Sequence, residues 1–112
     1  MTGENLYLFI KIYFDYKVEM QSLNSRTHEV WCDLYNSFLF ICKCDELSKT
    51  FEGAILFGSD EIRITEFLGK RCQSADDPES IGKSLNMIDE YCRLRLPDKF
   101  LYAYENINKQ VK

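Results

Sequence analysis

Residues 6–20 read LYLFIKIYFDYKVEM, and the way this stretch is taken decides the fold. Leu6, Leu8, Ile10, Ile12, Phe14, Tyr16, Val18 and Met20 alternate with Tyr7, Phe9, Lys11, Tyr13, Asp15, Lys17 and Glu19. A period of two sends successive side chains to opposite sides of a sheet, so the alternation predicts a half-buried β-strand. Its even-numbered face is apolar and needs a covering layer; its odd-numbered face mixes aromatics with charges. At roughly 3.3 Å per residue the strand would approach 50 Å, against a radius of gyration of about 13 Å expected for a chain of this size. A bulge, a strong coil or an early end near Asp15 or Lys17 is therefore expected.

Downstream, Ser22 to Thr27 has turn composition around Asn24-Ser25. Val30, Cys32 and Leu34 then alternate with Trp31, Asp33 and Tyr35, and Asn36-Ser37 interrupts the run. Beyond it Phe38, Phe40, Cys42 and Cys44 alternate with Leu39, Ile41 and Lys43, a pattern that fits either a second strand or one bulged strand. Asp45 to Thr50 reads as a loop. Phe51 to Phe57 and Glu61 to Phe67 flank Gly58-Ser59-Asp60, which predicts a hairpin.

From Ser74 the period becomes helical. Asp77 before Pro78 supplies an N-cap and a proline for the first turn, and Asp76, Asp77 and Glu79 suit the positive end of the helix dipole. Ile81, Leu85, Ile88 and Cys92 form one stripe, Arg93 and Arg95 suit the last turn, and Pro97 ends the helix. A second helix from about Pro97 carries Phe100, Leu101, Tyr104, Ile107 and Val111 on one side. Strands first and helices last predict an α+β fold in a single domain over residues 1–112. The expected architecture is a largely antiparallel sheet of about four to five strands with two C-terminal helices packed on one face.

The composition, 46% hydrophobic and 29% charged, is that of a globule with its own core rather than of a disordered chain. A net charge of −4 argues against a partner read through its phosphates and favours a basic one. Lys11, Asp15 and Lys43 interrupt the apolar stretches before they reach the roughly 18–20 residues of a membrane span. The first residues carry Glu4 and no Lys or Arg, unlike a signal peptide. Five cysteines, an odd number without framework spacing, fit a reducing compartment, so a cytoplasmic location is expected.

Cys42-Lys43-Cys44 puts two thiols on one face of a strand, half of what a zinc site needs. The single histidine, His28, lies in a turn far along the chain, and Phe38 and Phe40 share the thiols' face, so core cysteines are the expected role and no metal is assigned. His28 with a cysteine would need a third, orienting group for nucleophilic catalysis, and none is supplied. There is no Gly-rich phosphate loop, nucleophile elbow or His-Glu-x-x-His helix. Neither enzymatic activity nor a cofactor is expected. Glu79 with Lys83 and Asp89 with Arg93 are spaced as surface pairs on a helix.

Two surfaces remain as candidate binding sites. If the first two strands share a sheet, Tyr7, Phe9, Tyr13, Trp31 and Tyr35 fall on its outer face among Lys11, Asp15, Lys17 and Asp33. Tyr and Trp are enriched in binding hot spots, although the same residues would also serve as cross-strand packing. Asp60, Glu61, Asp76, Asp77 and Glu79 offer a phosphate-like edge to a basic nuclease cleft. The segment SLNMIDEYCRLRLPDKFL, Ser84 to Leu101, looks like the closing helices of small bacterial immunity proteins, notably those of contact-dependent growth inhibition. That resemblance implies a cytoplasmic protein that binds and occludes one cognate toxin, often a nuclease, and has no activity alone. An RNA-binding sheet, with aromatics stacking bases, is a second reading that the acidic charge opposes. A small ligand-binding α+β domain is a third.

Overall fold

The computed structural model describes residues 1–56 and 68–111. Its elements run α1 (Gly3–Phe14), a 3-10 turn (Asp15–Lys17), β1 (Val18–Asn24), β2 (Glu29–Leu34), β3 (Phe38–Asp45), β4 (Thr50–Leu56), β5 (Leu68–Ala75), α2 (Pro78–Arg95) and α3 (Asp98–Val111). The fold is α+β, as expected, with five strands in sequential order and every neighbouring pair antiparallel.

The opening stretch is the main correction. Residues 6–14 are helical, and only Val18 to Met20 of the expected strand belong to β1. Thr2 caps the helix, its hydroxyl accepting from the Asn5 amide at 3.2 Å, and Glu4 sits in the first turn. Leu6, Ile10 and Phe14 are buried, a spacing of four that is also a subset of the even-numbered series. Leu8 and Ile12, which would share their face in a strand, are exposed. Asp15 ends the helix at φ 52° and turns the chain into β1. The helical layer is therefore α1 across β1 to β3 together with α2 against β5, while α3 lies against the 3-10 turn. Two C-terminal helices alone do not cover the sheet.

The turns follow local chemistry. Asn24 Oδ1 accepts from the amides of Arg26 and Thr27 between β1 and β2, and Asp45 Oδ1 accepts from those of Leu47 and Ser48 between β3 and β4. Between β2 and β3 the loop is three residues, Tyr35 to Ser37; Tyr35 and Asn36 have φ of 55° and 54°, and the Ser37 amide closes the turn on the Leu34 carbonyl at 3.1 Å. Positive φ at both central residues matches the right-handed twist of a hairpin. Residues 28–45 are thus two strands and not one bulged strand. Of the expected hairpin after Phe51, β4 pairs with β5 (Leu68–Ala75), while the expected second run, Glu61 to Phe67, and the link at Gly58-Ser59-Asp60 lie outside the described residues.

The inner face of the sheet carries Val30, Cys32, Leu34, Phe38, Phe40, Cys42, Cys44, Phe51, Ile55 and Cys72, closed over by Leu6, Ile10 and Phe14 of α1, by Ile81, Leu85, Ile88 and Cys92 of α2, and by Leu101 of α3. The expected α2 stripe is buried in full, and its cap is formed: Asp77 Oδ1 accepts from the Ser80 amide at 2.8 Å. Gly53 is required at its position, because a Cβ there would lie 2.7 Å from the ring of Phe40. All five cysteines are buried free thiols. Burial pushes Cys32 and Cys92 up to about 12 and Cys44 and Cys72 up to about 11, and it raises Cys42 as well. They are core groups, protonated at neutral pH. Among the described residues no helix is long and apolar enough to cross a membrane, and no cluster of three or more His, Cys, Asp or Glu side chains is placed to hold a metal.

Candidate functional site

The opposite face of the sheet has no helix over it among the described elements, and it is not uniformly polar. Alternation in β2 sends Val30, Cys32 and Leu34 inward and Glu29, Trp31 and Asp33 outward; in β3 it sends Leu39, Ile41 and Lys43 outward. In β4, Glu52, Ala54 and Leu56 lie on the outer side. The registers align these residues in rows across the strands: Trp31, Ile41, Ala54 and Arg71 in one, with Asp33, Leu39 and Leu56 beside it. On the far side of the Trp31 row runs Glu29, Lys43, Glu52 and Gln73. An apolar strip two rows wide is thus bounded by carboxylates on both sides, Glu29 and Glu52 along one flank and Asp33 with its β1 neighbour Glu19 at the other. Trp31, Leu39, Ile41 and Ala54 are half-buried, and Leu56 is 9% exposed.

Local bonds hold this surface in one shape. The Trp31 indole donates to Glu29 Oε1 at 2.6 Å, the Gln21 amide to Asp33 Oδ2 at 2.6 Å, and Lys43 pairs with Glu52 at 3.2 Å. An indole bonded to its neighbour has lost less freedom still to lose on binding, which is the pre-organisation a hot spot needs. A groove of about 450 Å³ runs along the strip between Glu29, Ile41, Lys43, Glu52, Ala54 and Arg71.

The structure separates the residues that the sequence placed together. Of the five aromatics, Trp31 alone lies on the outer sheet face. Tyr7, Phe9 and Tyr13 belong to α1 on the helical side, where Phe9 and Tyr13 stack with centroids 6.4 Å apart. Tyr35 is buried: the turn swings it inward, and its hydroxyl donates to Asp89 Oδ1 at 2.5 Å and accepts from Arg93 Nη1 at 3.4 Å. Burial and the adjacent Asp89 carboxylate raise that hydroxyl well above the usual phenol range, and Arg93 opposes them in part. Lys17 reaches Asp89 at 3.4 Å and Arg93 reaches Glu105 at 3.1 Å, so this cluster ties the β2–β3 turn to both C-terminal helices.

The acidic edge is likewise divided. Asp77 is the α2 cap, Asp76 Oδ2 lies 2.5 Å from the Met1 nitrogen, and Glu79 pairs with Lys83 at 3.6 Å. Asp60 and Glu61 lie outside the described residues. What the sequence reading missed are Leu39, Ile41 and Ala54 as half-buried groups of the outer face, with Leu56 buried beside them. The signal was present in β3, where both alternating sets are apolar up to Lys43 although the described helices cover one side of the sheet alone.

The architecture defines an α+β domain with its described helices over one face of an antiparallel meander and a half-buried, acid-flanked apolar strip on the other. Comparison with known protein families, with curated proteins and with solved structures finds no match to this chain.

Proposed function

We propose that this chain is a cytoplasmic immunity protein that neutralises a cognate toxin by binding and occluding it, and that the outer sheet face is the surface it uses. The observation that carries the reading is the apolar strip around Trp31 and Ile41, which lies on the side of the sheet away from its helices. Such a strip on a domain that already has a complete core on its other side is available for a partner. The carboxylates of Glu19, Glu29, Asp33 and Glu52 outnumber Lys43 and Arg71 around it, and the whole chain carries a net charge of −4. Both favour a basic partner, as a nuclease domain is, and steer its approach.

The RNA reading loses support here, since Tyr7, Phe9 and Tyr13 sit on a helix instead of forming a stacking platform with Trp31.

The test is co-expression with the polypeptide encoded beside this one. The native chain should abolish that polypeptide's toxicity and co-purify with it in a 1:1 ratio. Ile41→Glu, folded as judged by circular dichroism, should lose both properties. Protection that survives Ile41→Glu and Trp31→Ala would remove the sheet face from the account, and a co-expressed polypeptide with no toxicity and no affinity would remove the immunity reading.

A further inference from the structure

Helix α1 is apolar on two sides. Leu6, Ile10 and Phe14 are buried against the sheet, whereas Leu8 and Ile12, one turn apart on the opposite side, are 53% and 78% exposed. Tyr13, about 100° round the helix from Ile12, packs edge-on against the buried Phe14 and lies outside this stripe. Neither Leu8 nor Ile12 is needed to cover the sheet. We propose that this stripe docks a second copy of the chain, α1 against α1, antiparallel about a two-fold axis beside Leu8.

The charges along the stripe select that occupant. Glu4 and Lys11 are seven residues apart, which at 100° per residue places them on one flank, roughly 10 Å apart along the axis and symmetric about a point between residues 7 and 8. That flank faces the β1 edge, where Lys11 borders a groove with Tyr7, Asp15, Val18 and Glu19. Neither Glu4 nor Lys11 has an ion-pair partner among the described residues. In an antiparallel helix pair related by a two-fold axis, the same flank of each helix meets its equivalent. Glu4 of one copy then faces Lys11 of the second, and Lys11 faces Glu4, so both ion pairs form at once; Leu8 meets Leu8 at the axis, and each Ile12 lies over the first turn of the other helix. A membrane surface would call for a basic polar flank, and here Glu4 and Asp15 balance Lys11. A contact made mainly by one helix from each copy is at the small end of specific interfaces, so the dimer is weak and depends on concentration.

Sedimentation equilibrium of the native chain over roughly 10 µM to 1 mM tests the proposal. A monomer–dimer equilibrium is expected, shifted at least tenfold towards monomer by Ile12→Glu, a substitution at an exposed position. Glu4→Lys and Lys11→Glu should each weaken the dimer, and the double variant should restore it because it exchanges the charges across the axis. A native chain that stays monomeric throughout, a dimer indifferent to Ile12→Glu, or a double variant no better than its single parents would each overturn it. Toxin protection is not a readout here, so failure of the dimer leaves the sheet-face reading to its own experiment.

Discussion

Helices α1 and α2 cover the same side of the sheet and bury equivalent stripes, yet α1 exposes adjacent apolar residues one turn apart where α2 spaces its own two turns apart among polar ones. On α2, Ile81, Leu85, Ile88 and Cys92 are buried, and the outer face sets Met87 and Leu94, two turns apart, among Lys83, Asn86 and Glu90. On α1, Leu6, Ile10 and Phe14 are buried, and the outer face repeats apolar residues at Leu8 and Ile12. An outer face that resembles a buried one has no explanation in the fold. The same holds for the sheet, where Leu39 and Ile41 face away from the helices as Phe38 and Phe40 face towards them. In both places surplus apolar surface marks where the domain has more to bury than its own core.

The comparison breaks first in the core. Ile10→Ala and Leu85→Ala should each cost about 3 kcal/mol in chemical denaturation, whereas Ile12→Ala should cost less than about 0.5 kcal/mol. Equal losses at Ile10 and Ile12 would mean that the outer stripe of α1 is packed after all.

Alkaline titration bears on the thiols, which α2 contributes to the core through Cys92 and α1 does not. Each buried thiol titrates higher in the folded chain than in the unfolded one, where it releases its proton near pH 9. Between that value and the folded range of about 11 to 12 the unfolded state binds fewer protons, so stability is complete below pH 9 and falls as pH rises beyond it. Denaturation midpoints should therefore be level from pH 7 to 8.5 and decline by pH 10.5, with Cys92→Ala flattening part of the decline.

Tyr35→Phe removes the hydroxyl that anchors Asp89 of α2 to the β2–β3 turn and should cost about 1–2 kcal/mol, with Lys17 left as the partner of Asp89 among the described residues. The polar tie on α1 is at its start, where the Gly3 amide donates to His28 Nδ1 at 2.9 Å. Smallest are the caps: Asp77→Ala should cost about 1 kcal/mol and Thr2→Ala less, in line with bonds of 2.8 and 3.2 Å and with the shorter helix behind Thr2.

These contrasts also explain which parts of the fold could be read in advance. Helix α2 was legible because its start, Asp77-Pro78, its stop, Arg93 to Pro97, and its period agree. The inner faces of β2 and β3 were legible because a polar or turn residue bounds each run. Helix α1 was not, because positions 6, 10 and 14 satisfy a spacing of four and a period of two alike, and the apolar residues at 8 and 12 filled the gaps that would have separated the two patterns. The cap at Thr2 and the excessive length of the implied strand were the contrary signs. Tyr35 shared the parity of Trp31 and Asp33, but the strand ends at Leu34, and two residues at positive φ reverse its direction. The candidate site was legible only at Trp31, since the remainder depends on which side of the sheet the helices take. That choice is made by α1.

Trp31 is the single tryptophan of the chain, so it tests the functional account directly. With the chain labelled by 5-fluorotryptophan, one fluorine resonance reports the outer sheet face while unlabelled toxin polypeptide is added to saturation. The account predicts that the free resonance disappears and a bound one, shielded from solvent isotope and paramagnetic quenchers, replaces it at a 1:1 ratio. A saturated complex in which the Trp31 resonance keeps its position and its solvent exposure would contradict it.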